Sequence, residues 1–297
     1  MLPYLAATLT VVLIGNHLFE EHIILATPVN GAYKIDRILH HEDPNEIPIF
    51  GNSRAEAHFV PAIIHPNSFN YGLSGTHADV WMFFLQQELK KSRQTPILLN
   101  IDLEGLDSAI GNPSNYILNA DHPEVQALMG RHYSWAYRIP LLKYFNQFDL
   151  FMGLWMNNRS KPVAGGERGA LLHHKPVDSA TRAISFIRRA EGENSFDGSP
   201  TMESELFALL AAHPGRHVIF VVSPYHASIF KHFTNLDEAH DLLSRLDALP
   251  NADVIDLSHV DYPDSLYDNS THLASVGAVR FSQELRDSLH ARIGAPF

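Results

Sequence analysis

The chain contains no cysteine. That absence excludes disulfides, thiolate metal sites and a cysteine nucleophile together. A chain of 297 residues buries enough apolar surface to fold without such staples, so the absence fixes no compartment. Positive charge is also scarce: Lys+Arg 22 against Asp+Glu 33 leaves a formal net charge of -11. General nucleic-acid binding asks for a basic face, and this balance argues against it. No HExxH occurs, and no histidine pair sits at metal spacing with a carboxylate on a clear helix face. The 19 histidines are scattered, as at His40–His41, His122, His132, His173–His174, His213 and His217. They read as surface and loop imidazoles, and no metal is expected. Internal repeats and low-complexity tracts are missing too. With 45% hydrophobic residues, the composition is that of a globular protein and excludes a disordered chain.

Charge is also missing from the N-terminus, where none appears before Glu20. Leu2 to Gly15 is apolar but shorter than the ~20 residues of a spanning helix; with Asn16 to Phe19 it just reaches. No Lys or Arg precedes the run, so the basic region of an export signal is lacking. Three readings stand: an uncleaved membrane anchor, a cleaved export signal, or a buried helix. Either of the first two places the remainder outside the cytoplasm. Residues 21–46, with HHEDPNE at 40–46, read as a linker or peripheral segment.

From residue 47 the pattern becomes regular. Ile47–Phe50, Ser68–Tyr71, Pro96–Ile101, His217–Val222 and Asp253–Asp256 are short apolar runs closed by turn residues, as strands are. Residues 77–92, 203–212, 236–249 and 274–292 carry helical spacing. Strands alternating with helices predict an α/β fold with a parallel sheet and helices on both faces. Residues 107–200 break the rhythm and read as a long insertion over one end of the sheet. In an open α/β sheet, ligands bind at the carboxyl ends of the strands.

Three segments at such ends carry chemistry. Gly51-Asn52-Ser53-Arg54 follows the first strand. A serine at a strand-to-helix turn exposes its hydroxyl beside a helix N-terminus; taken alone, it is equally a helix cap. Asn70-Tyr71-Gly72-Leu73-Ser74-Gly75 closes the second strand, and its glycines let backbone N–H groups approach a substrate. Tyr267-Asp268-Asn269-Ser270-Thr271-His272-Leu273, followed by Gly277-Ala278, sets a carboxylate before a histidine that can serve as general base. Tyr225 or His226, after the strand ending at Val222, can line the same edge or simply start a helix. Residues 159–189 carry seven Lys/Arg against Glu167 and Asp178. They form a solvated flap or a face for an anionic polymer or lipid headgroups.

In this order the three segments resemble the blocks of the SGNH/GDSL hydrolase family, over about residues 47 to 290 with 107–200 unmatched. The resemblance is closest to exported, membrane-tethered bacterial members acting on acyl groups of cell-surface or exopolysaccharide sugars. It implies a three-layer α/β/α, flavodoxin-like domain over 47–297, behind a membrane anchor or signal segment at 1–20. It implies an esterase or O-acyltransferase without cofactor, its partner an acylated carbohydrate, placed at the membrane or in the periplasm. Ser53 would be the nucleophile and His272 the base. Gly75 and the Ser53 N–H would hold the oxyanion, with Asn52, Arg54, Gly72 and Tyr225 as further substrate contacts. The alternative is an inactive polysaccharide-binding or assembly protein on the same fold.

Two departures stand out. The family's glycine–asparagine pair after the third strand is replaced by Asn100-Ile-Asp-Leu-Glu-Gly105, where Asp102 or Glu104 is an acceptor when ionised. The family acid stands three residues before the histidine, a position held here by Asn269. Asp268, four before, is the expected acid.

Overall fold

The computed structural model describes residues 2–160, 168–172, 179–190, 195–230 and 232–294. The chain packs as two compact units, Met1–His41 with Asn112–Ala164, and Glu42–Gly111 with Gly165–Phe297.

The second unit is built on five strands: β1 (Ile47–Phe50), β2 (Ser68–Asn70), β3 (Ile97–Asn100), β4 (Val218–Val222) and β5 (Ala252–Asp256). All neighbours pair parallel, in the order β2-β1-β3-β4-β5. This is the flavodoxin-like order, and the expected α/β fold is present. The strands begin and end within about one residue of the apolar runs, because a strand buried on both faces reads as uninterrupted hydrophobic sequence. Side chains alternate between the faces. Ile49, Leu98, Ile219, Val221 and Ile255 join a core with Phe59, Ile64, Phe281, Leu285 and Leu289, which come from the helices Pro61–Ile64 and Ser275–Ile293 and the residue after helix Ser53–His58. On the opposite face Phe50 stacks on Phe84 of helix Ala78–Leu89, with ring centroids 5.7 Å apart.

After β1 the chain crosses to β2 on one side and then to β3 on the other, so the order reverses at β1. The carboxyl ends of β1 and β3 therefore flank the crevice where such sheets bind ligands. Gly51 turns the chain there at φ 141°, and a Cβ would meet Ala55 Cβ at 2.6 Å. Only glycine serves at that point.

The first unit is helical. Helix Leu2–Phe19 runs on into a π-helical turn, Glu20–Ile24. Helix Gly31–His40, inside the stretch expected to be a linker, is capped by Asn30, whose side chain accepts the Ala32 N–H at 3.0 Å. Phe19, Ile24, Ala32, Ile117, Tyr144 and Phe151 form its small core. Tyr4, Leu5, Leu9, Val11, Leu13, Ile14 and Leu18 of the first helix are exposed. Among the described residues, no helix is long and apolar enough to cross a membrane.

The stretch 107–200, read as one insertion, is divided between the two units. Its described part contains helices Pro123–Met129, Phe148–Ser160 and Ser179–Ala190 and one isolated bridge, Gly105 to Asp197. His173, His174, Lys161, Lys175, Glu167 and Asp178 lie outside the described residues, as do the side chains of Arg159, Arg188 and Arg189.

Candidate active site

Ser53 opens the helix that leaves β1. Asn52 is its cap: the Asn52 side chain accepts the Arg54 N–H at 2.9 Å. The cap reading and the exposed-hydroxyl reading of this turn thus fall on adjacent residues, and Ser53 keeps its side chain for other contacts. His272 Nε2 stands 2.9 Å from Ser53 Oγ, across 219 positions of sequence.

The imidazole is held from behind. Asn269 Oδ1 lies 3.2 Å from His272 Nδ1, and Thr271 Oγ1 lies 3.0 Å from it. The same Asn269 oxygen accepts the backbone N–H groups of Thr271 at 2.9 Å and His272 at 3.0 Å. Those two donors fix which end of the amide faces the ring, since a flipped amide would set N–H against N–H. Nδ1 therefore carries the proton and Nε2 accepts one from the serine. Asp268, expected as the orienting acid, donates its backbone N–H to the His272 carbonyl at 2.9 Å, and its Oδ2 is 3.5 Å from Asn269 Nδ2. The oxygen at the family's acid spacing is thus Asn269's.

His58, which the sequence did not single out, supports the whole segment. Fully buried, it accepts the Leu273 N–H on Nε2 at 3.0 Å, and its Nδ1 is 3.1 Å from Ser223 Oγ. It thereby ties the Ser53 helix, the end of β4 and the His272 loop together.

The second segment closes against the first. A Cβ on Gly72 would lie 2.5 Å from the Glu56 backbone nitrogen, so glycine permits the loop to touch the Ser53 helix. Glu56 Oε2 then accepts both the backbone N–H of Ser74, at 3.1 Å, and its hydroxyl. Gly75 follows in an exposed turn at φ 72°.

The cleft at Ser53 has a volume of about 280 Å³ and is lined by Asn52, Arg54, His77, Trp81, Asn100, Asp102, Glu104, Asp107, Asp197, Thr271 and His272, among others. Of the residues expected to contact substrate, Asn52 and Arg54 line it; Gly72, Gly75 and Tyr225 are not among the lining residues. Tyr225 lies beneath: the Arg54 guanidinium sits 3.4 Å over its ring. The Tyr225 hydroxyl donates to Glu104 Oε2 at 2.6 Å and accepts the Leu103 N–H at 2.9 Å. Burial pushes the Tyr225 phenol well above its usual range; Glu104 and Asp102 add to this, against the pull of Arg54. It therefore remains a donor.

Arg54 is 2% exposed and donates to the carbonyls of Ser223 at 2.6 Å and Pro224 at 3.0 Å. Its Nη1 lies 3.5 Å from Asp102 and 3.8 Å from Glu104. Burial lowers its pKa, but Tyr225, Asp102 and Glu104 outweigh that and hold it above the ordinary value. Asp102, in the 100–105 stretch after the third strand, accepts from Asn52 Nδ2 and, at 2.9 Å, from Asn100 Nδ2. Asp197 reaches the rim through backbone bonds: its N–H donates to the Glu104 carbonyl and its carbonyl accepts the Leu106 N–H, both at 2.9 Å.

The constellation contains a hydroxyl, an imidazole in the accepting tautomer and an amide that locks it, beside a polar cleft. Chemically this suffices to deprotonate the serine as it attacks an electrophilic carbon. No protein-family model matches the chain, and no curated protein matches it. Among solved structures, a chain from Streptococcus pneumonia, provisionally described as a platelet activating factor, is similar to this one. The similarity covers 95% of this chain and 99% of that one at 14% identity, with a TM-score of 0.43.

Proposed function

We propose that the protein is a serine-dependent esterase or O-acyltransferase of SGNH/GDSL type acting on the acyl groups of a carbohydrate outside the cytoplasm. The observation that carries the reading is the 2.9 Å contact between Ser53 Oγ and His272 Nε2. In the reaction Ser53 Oγ attacks the acyl carbonyl and His272 Nε2 takes the hydroxyl proton. Asn269 keeps Nδ1–H aligned while the imidazolium exists, and Asp268 adds negative charge nearby. The Ser53 backbone N–H, at the start of its helix, receives the developing oxyanion. Collapse expels the sugar alcohol, which takes the proton from Nε2. Water, or a second sugar hydroxyl, then attacks the acyl-enzyme by the reverse path.

The lining supports a polyhydroxylated substrate. Asp102, Glu104, Asp107 and Asp197 present acceptors for hydroxyl groups, and Trp81 offers an aromatic face. Few apolar side chains line the cleft, which favours a short acyl group over a fatty chain. The exposed apolar side chains of helix Leu2–Phe19 support attachment of the N-terminal region to a lipid surface.

Turnover of an acetyl-ester chromophore, with a burst equal to the enzyme concentration, is expected for the full chain and is lost in Ser53→Ala. Activity that survives the substitution removes Ser53 as nucleophile. A second reading, a carbohydrate-binding module without chemistry, draws on Asp102 and Asn269, which stand where a donor and an acid are expected. A folded chain that never labels with a fluorophosphonate, even at high pH, selects that reading.

A further inference from the structure

We infer a second site, for a divalent transition-metal ion, at the β5 edge of the sheet, held by His240, Asp256 and His259. It is independent of the serine chemistry, because none of the three lines the Ser53 cleft. One ligand atom from each residue lies within 4.8 Å of the other two. Around a zinc ion with bonds of ~2.0–2.2 Å, ligand atoms stand roughly 3.3–3.6 Å apart. Side-chain movements of about an ångström close the set; Asp256 and His259 are exposed and His240 is half-buried, so small rotations within their rotamer wells suffice.

The three come from separate elements whose backbones are fixed. His240 projects from helix Leu236–Asp247, Asp256 ends β5, and His259 stands in the loop that follows. Asp256 is already oriented: its Oδ1 accepts the Ser258 N–H at 2.9 Å, which leaves Oδ2 for a cation. Such a bond behind a ligating carboxylate is what metal sites use to aim it. The His259 ring rests against Phe230, with centroids 4.3 Å apart, and 6.0 Å from the His240 ring. Two imidazoles and one carboxylate suit zinc, cobalt or nickel, whereas calcium and magnesium take oxygen sets. With three protein ligands, water completes the shell. A bound ion would clamp the helix to the loop after β5, whose Ser258 carbonyl accepts the Tyr225 N–H at 3.3 Å. The ligands lie 16 and 3 positions apart, outside any metal motif, which is why sequence inspection passes over them.

The full chain, stripped with a chelator, is titrated with Zn²⁺ by calorimetry and with Co²⁺ by visible absorption. One equivalent is expected, with a rise in Tm. His240→Gln, His259→Gln and Asp256→Asn should each weaken Zn²⁺ binding about tenfold or more and abolish the rise, while His132→Gln changes neither. On the unmodified chain, Zn²⁺ should protect His240 and His259 from diethylpyrocarbonate, read by mass spectrometry; this arm needs no variant to fold. Absence of binding, affinity indifferent to the three substitutions, or protection located at other histidines overturns the site.

Discussion

The two rims of the sheet each bury an arginine among carboxylates, yet they are built differently. At the amino ends of β1, β3 and β4, Glu88 and Glu46 are 0% and 1% exposed. Arg93 donates to Glu88 Oε1 at 2.6 Å and to Oε2, and its Nη2 is 3.1 Å from Glu46. Arg216 donates to Glu88 Oε1 at 2.8 Å, and the Tyr71 hydroxyl donates to Glu46 at 2.7 Å. At the carboxyl ends, Arg54 is equally buried, but its carboxylates Asp102 and Glu104 are 11% and 29% exposed and face the cleft. Among the described residues, Arg54 Nε and Nη1 find no hydrogen-bond acceptor, and at the amino rim Arg216 Nε finds none; the difference lies in the exposure of the carboxylates. One rim spends its charges on itself. The other holds them partly open, as a site does that must meet a ligand.

The comparison fails if both rims respond alike to substitution. The largest expected effect is at the carboxyl rim. Ser53→Ala should take ester turnover to background while leaving Tm within about 1 °C, because one surface-facing oxygen is lost from no buried network. A large fall in Tm would mean that Ser53 is chiefly structural.

Glu88→Gln is the counterpart at the amino rim. It leaves two buried guanidinium groups short of their anion, and breaking such a pair costs about 3–5 kcal/mol. Urea unfolding should show that loss, while turnover per folded molecule stays unchanged. Equal losses of activity and stability would erase the distinction between the rims.

Within the carboxyl rim, Asn269 and Asp268 separate orientation from charge. Asn269→Ala removes the oxygen that aligns His272 and should lower kcat about 10–100-fold, with KM little changed. Asp268→Asn keeps the loop and should cost about threefold or less. The reverse ranking would make Asp268 the working acid, as its residue type suggested.

Much of this was legible in the sequence. The continuous apolar runs 47–50, 96–101 and 217–222 declared strands buried on both faces, and the serine after the first strand with the Asp–His segment before the last helix declared a partnership. What was not legible depends on pairing across distance. Nothing near His58 announces that it receives the Leu273 N–H, and nothing near Asp197 announces its bridge to Gly105. Helix Gly31–His40 was hidden because its amphipathic face lies in a stretch dominated by charge and proline at its end. Between Asp268, favoured for its charge, and Asn269, which stands three residues before the histidine, the sequence left the choice open, because the backbone turn that aims the Asn269 oxygen has no sequence signature.

The smallest effect sharpens the amino rim. Lys91 is buried beside Arg93; burial first, then that neighbouring charge, holds its pKa below the usual 10.5, and Glu88 and Glu46 only partly offset this. The folded state therefore binds the Lys91 proton less tightly than the unfolded state does. Between the depressed folded value and the unfolded value near 10.5, the unfolded chain holds more protons, so stability rises with pH across that window. Below it, the full cost of charging Lys91 is present. Lys91→Gln removes the titration but keeps most of the stem. Its Tm relative to the parent chain should be most favourable near neutral pH and should decline as pH approaches 10.5; other groups titrating there, such as tyrosines, cancel in the difference. A difference that does not vary with pH would show that the closed rim buries Lys91 at no electrostatic cost, and the contrast between the rims would then rest on the exposure of Asp102 and Glu104.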